Sequence, residues 1–100
     1  MTTTILEPTT EEAFSSSFSA NSSNTTTLIC AGLQGSEVAT LQVYAPLLGD
    51  YVDCPQSVIT ATTNPILSGI FDAATYRIKK SATATEVGVS MIQDILIGAI

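Results

Sequence analysis

A pair of adjacent carboxylates, two cysteines and a scatter of aspartates are the groups in this sequence that could do chemistry. Acid/base catalysis needs two carboxylates facing one space, and Glu11 and Glu12 are neighbours, which point opposite ways along an extended chain. Cys30 and Cys54 lack the second close pair of ligands that a structural zinc site requires. A disulfide between them depends on the separation of their Cβ atoms, which spacing does not set, and two half-buried thiols in a reducing compartment are the alternative. The chain contains no histidine. That removes the usual general base and the commonest metal ligand, so Ser-His-Asp and Cys-His arrangements are impossible within one chain. Asp50, Asp53 and Asp72 are spaced like loop acids and not like the alternating acids of a calcium loop. Gly32 and Gly35 are not followed by the Lys-Ser or Lys-Thr of a phosphate-cradling loop. The expectation is a protein that is not an enzyme, with no metal and no cofactor.

The remaining chemistry is binding, and charge limits the partners. The formal net charge is −6, and all three basic residues, Arg77, Lys79 and Lys80, fall within one four-residue stretch. A nucleic-acid surface needs several spread cations to displace phosphate counterions, so nucleic acid is excluded as the main partner. No apolar run reaches the ~18 residues of a membrane span, and the first residues lack the basic-then-apolar pattern of a secretory signal. Neither a membrane nor secretion is expected. Hydrophobic residues make up 45% of the 100-residue chain and charged residues only 12%. Disordered chains combine low hydrophobicity with high charge, and this sequence does neither. One domain that buries a core is expected.

The elements that would present a binding surface are strands. Val38–Ala45 alternates, with Ala39, Leu41, Val43 and Ala45 on one face and Thr40, Gln42 and Tyr44 on the other, the period of a half-buried strand. Pro46 and Gly49-Asp50 close it. Residues 25–31 and 58–63 are rich in β-branched residues. Tyr51–Cys54 is a short extended piece ended by Pro55, and 65–68 is another, after the turn signal Asn64-Pro65. Residues 75–80 place Tyr76 and Ile78 on one face and Arg77 and Lys79 on a wet one. Residues 86–91 turn Val87, Val89 and Met91 inward. Glu11–Phe14 could form one helical turn, and the apolar positions 91, 92, 95 and 96 of Ser90–Ile97 also fit a helical face, but the β-branched residues of that C-terminal stretch and the Gly98 that follows favour a strand. About seven short antiparallel strands at this spacing predict an all-β sandwich, Ig-like or jelly-roll-like, over residues 25–100. Residues 1–24 are Thr/Ser-rich, punctuated by Ile5, Leu6, Phe14 and Phe18, and read as an N-terminal arm or an edge strand.

Three features suggest assembly. The C-terminal run that includes Ile95, Leu96, Ile97 and Ile100 is too apolar to face water, and either fills the sandwich or packs on another subunit. Arg77, Lys79 and Lys80 form a solvated strand face or meet an acidic neighbour, such as a sister copy. The apolar residues of the N-terminal segment, Ile5, Leu6, Phe14 and Phe18, complete the candidate protein-interface set.

The stretches Thr27–Leu33 with Gly35–Val43, Ser68–Lys80 and Ala82–Ser90 resemble the opening strand pair, the late turn-and-strand and the final strand of small β-sandwich structural proteins of tailed-bacteriophage virions. The resemblance covers residues 25–92 and implies a capsid decoration or cement protein, or a fibre, tail, neck or baseplate component. It implies residence in the virion and partnership with other virion proteins, the major capsid protein foremost, as a homo-oligomer. A carbohydrate-binding module is a further alternative, for which Tyr44, Tyr51 and Tyr76 are the polar aromatics.

Overall fold

The computed structural model describes residues 2–61, 66–69 and 71–95. Among them lie nine strands and no helix: β1 (Thr2–Thr9), β2 (Ala13–Phe14), β3 (Phe18–Ala20), β4 (Asn24–Ile29), β5 (Val38–Ala45), β6 (Asp50–Thr60), β7 (Ile66–Gly69), β8 (Ala74–Lys80) and β9 (Val87–Ile95). They form two antiparallel sheets packed into a β-sandwich. One sheet has the order β1-β9-β4-β7; the other has the order β2-β8-β5-β6, with β3 also paired to β8. The count exceeds the seven or so expected, chiefly because the first 24 residues contribute three strands. In the opposite sense, the two pieces separated at Pro55 are one strand, β6. Its register against β5 jumps between Thr40↔Val58 and Gln42↔Asp53, which leaves Pro55 in a bulge where no ladder donor is needed.

Period-2 patterning builds the core. Leu28, Val87 and Val89 enter from one sheet, and Ala39, Leu41, Ile59, Tyr76 and Ile78 from the other. Ile5, Phe18 and Ala20 join them from the N-terminal segment. That segment is sewn in by its main chain. Ile5 steps out of the β1–β9 register, and its carbonyl accepts from Ser16 N at 2.7 Å, which links the two sheets. Between β2 and β3, Ser15 N donates to Ile78 O and Ser15 Oγ accepts from Ile78 N, both at 2.8 Å. The buried hydroxyl thus stands in for the carbonyl of an unbroken ladder. At the β3–β4 corner, Ser23 N donates to Asn21 Oδ1 at 2.8 Å, an Asx turn that explains the Asn/Ser composition there.

Candidate functional site

The β5–β6 hairpin presents the most exposed apolar side chains described. Its loop is Pro46-Leu47-Leu48-Gly49 between the paired residues Ala45 and Asp50. Leu48 N and Gly49 N both donate to Ala45 O, at 3.1 and 2.9 Å. Proline pre-sets the φ of the first loop position, and Gly49 takes a φ of 73°, in the left-handed region glycine tolerates. The turn therefore requires Pro46 and Gly49, yet nothing in it requires leucine. Leu47 is 106% exposed and Leu48 67% exposed. Tyr44 and Val52 flank them and are also exposed. The pairing of β5 with β8 ends at Val43↔Tyr76, whereas its pairing with β6 continues to Ala45↔Asp50, so the hairpin end projects beyond the sheet.

A stack of side chains on the outer face of the same sheet braces this projection. The Arg77 guanidinium carbon lies 4.0 Å from the Phe14 ring centroid and 4.0 Å from that of Tyr51. Tyr51 meets Tyr44 edge-on, with centroids 5.3 Å apart. Arg77 Nε donates to Gln42 Oε1, and Gln42 Nε2 donates to Asp53 Oδ1, both at 2.8 Å. The planar guanidinium can stack and hydrogen-bond at once, which an ammonium cannot. Phe14, Arg77, Tyr51 and Tyr44 thus run from the opposite sheet edge to the base of the hairpin. At that base, Asp50 Oδ1 accepts from Tyr51 N at 2.7 Å.

The residues singled out from the sequence fall in several places. Ile5 and Phe18 are buried in the chain's own core. Leu6 is half-buried and lines an open concavity of about 490 Å³ on the outer face of the other sheet, with Pro8, Ile29, Ala31 and Gly88. Phe14 is exposed and carries Arg77 on its ring. Lys79 is half-buried in a shallow pocket it shares with Glu12 and Asp53. Lys80 departs from the expected solvated face. It follows Tyr76 and Ile78 onto the inner face, is fully buried, and donates from Nζ to Glu11 O at 2.8 Å and Ser81 O at 2.9 Å. The side chain of Ile95, and all of Leu96, Ile97 and Ile100, lie outside the described residues.

Cys30 and Cys54 are free thiols. Burial pushes the Cys30 thiol up, an effect the Lys80 ammonium partly offsets. Burial and then the Asp53 carboxylate push Cys54 up. Both shifts disfavour the nucleophilic thiolate. Asp50, Asp53 and Asp72 do not converge, and no group of three or more His, Cys, Asp or Glu that could hold a metal ion occurs among the described residues.

No family model, curated protein or solved structure matches this chain. Its function must therefore be argued from its own surface. Sequence reasoning missed Leu47 and Leu48. The signal that finds them is a pair of large apolar residues between the proline and glycine of a hairpin turn, where small polar residues serve the geometry equally well.

Proposed function

We propose that this chain is a structural subunit of a tailed-bacteriophage particle, a decoration or cement protein that bridges capsid subunits and stabilises the head. The observation that carries the reading is the braced hairpin with Leu47 and Leu48 held in solvent. Fully burying a leucine stabilises a contact by roughly 1.5–3 kcal/mol, and a tip held in place beforehand loses little entropy on docking. Repetition over a symmetric shell multiplies modest contacts into tight attachment. The β-sandwich architecture supports the same reading through the likeness of residues 25–92 to small virion proteins, within which an Ig-like or jelly-roll-like topology is the finer proposal. Self-association through the C-terminal run from Ile95 belongs to it as well.

The test is quantitative mass spectrometry of density-purified particles from the phage that encodes the chain. A simple whole-number ratio to the major capsid protein is expected. A low copy number would move the chain to the tail, neck, fibre or baseplate, and absence from the particle would refute a virion role.

A further inference from the structure

We infer that the hairpin tip docks into a different protein, in an apolar socket rimmed by basic side chains. This rests on the reading of the chain as a particle subunit. The tip supplies two leucines, and the strand that leaves it carries the exposed acids Asp50 and Asp53. A socket that accepts Leu47 and Leu48 brings its rim against these carboxylates, so a basic rim is attracted and an acidic one repelled.

A second copy of this chain offers at most one half-exposed cation, Lys79, for that rim. The sequence has three cations. Arg77 is held between the Phe14 and Tyr51 rings, Lys80 is sealed in the core, and Lys79 shares its pocket with Glu12 and Asp53. The chain's own open concavity, around Leu6, Ile29 and Gly88, is lined as much by polar as by apolar groups and is bordered by Glu7 and Glu86, which would oppose Asp50 of an incoming tip. An anionic lipid surface is disfavoured by the same carboxylates and by a net charge of −6.

The experiment adds purified full-length chain back to particles assembled without it and measures co-sedimentation over a salt series, with thermal melts to verify folding. Wild type should bind, and binding should weaken as salt rises. The double variant Leu47→Asp/Leu48→Asp should bind about a hundredfold more weakly, as expected for a central anchor. Leu47→Met/Leu48→Met should bind like wild type. Asp50→Lys should weaken binding about tenfold, with Asp50→Asn between. If the double aspartate variant binds like wild type, the tip is not the docking surface. If Asp50→Lys binds as well or better, the basic rim is wrong. Wild type that fails to bind any stripped particle sinks the particle reading and the inference together, whereas the two preceding outcomes sink the inference alone. Self-association lost in the double aspartate variant, or binding to phosphatidylserine vesicles, would also overturn it by naming a second copy or a membrane as the occupant.

Discussion

Lys80 illustrates how one side chain can hold a peripheral segment to a small core. Its stem lies among apolar residues while its ammonium spans to the carbonyls of Glu11 and Ser81. Burying a cation is costly unless it is hydrogen-bonded, so the contact favours one arrangement of the chain between β1 and β2. Lys80→Ala, which removes both the stem and the tie, should destabilise the protein by about 2–4 kcal/mol. Lys80→Met should recover part of that loss by refilling the volume. Urea unfolding of the three proteins checks the order, and an alanine variant as stable as wild type would contradict the assignment. A second prediction concerns alkaline pH. Burial is the leading cause of the upward shifts of Cys30, Cys54 and Tyr76, with Asp72 and Cys54 adding to the last. Each group is neutral when protonated. A folded pKa above the unfolded one gives stability that is complete below the unfolded value and is lost as pH rises through the folded value. The melting temperature should therefore fall through the thiol and phenol range, and less steeply in Cys30→Ala. A level profile would show that these groups titrate alike in both states.

Among the elements, the hairpin depends on its brace and the edge strand β1 on a glycine. Arg77→Met keeps the length of the side chain but loses both ring contacts and the bond to Gln42. It should cost about 1–2 kcal/mol and speed amide exchange at Tyr51 and Val52, with Arg77→Lys intermediate. Unchanged exchange there would mean that the hairpin holds itself. At Gly88, an added Cβ would lie 2.6 Å from Leu6 O and 2.9 Å from Pro8 N, main-chain atoms that cannot turn aside. Gly88→Ala should displace β1 and cost about 1–3 kcal/mol in a thermal melt, and a neutral result would place β1 further from β9. Strands whose alternation is regular, β5, β8 and β9, were legible in the sequence, because a one-residue slip would reverse every face. The N-terminal strands were harder to read. Their inward positions are few, Ile5, Phe18 and Ala20, and the hydroxyl-rich residues between them look like a tail until main-chain pairing is seen. Lys80 was obscured for the opposite reason, since its charge outweighed the alternation that places it inside. Of the site, Tyr44 and Arg77 drew notice, but their stacking joins strands far apart in the chain, which local patterning does not encode.

At the scale of the whole molecule, successive segments cross repeatedly between the two sheets, and the first strand pairs with the last. Thr2 lies opposite Ile92, and Thr9 opposite Val87. Each sheet is therefore closed by residues distant in sequence, a topology that folds slowly because long loops must close before contacts form. The first 24 residues provide β1, β2 and β3, and with them Ile5, Phe18 and Ala20 of the core. Deleting residues 1–24 should abolish cooperative thermal unfolding and leave an aggregation-prone chain. A truncated protein that still melts in one sharp transition would show that the remaining strands suffice. Two of the edge strands are guarded in the intact chain: β1 carries Pro8 and two register shifts, and β6 carries Pro55 within its bulge. Edge-to-edge pairing is resisted at these two strands, and the hairpin tip carries the most exposed apolar side chains among the described residues.

The burial of Lys80 also determines how the protein can be labelled. Of its two lysines, one is closed off from reagents and the other, Lys79, is half-exposed. Amine acylation of the folded protein should therefore mark a single side chain on the outer sheet face, away from the projecting leucines. A fluorophore placed there would report on docking without occupying the tip, and a second labelled lysine would signal that the fold had opened.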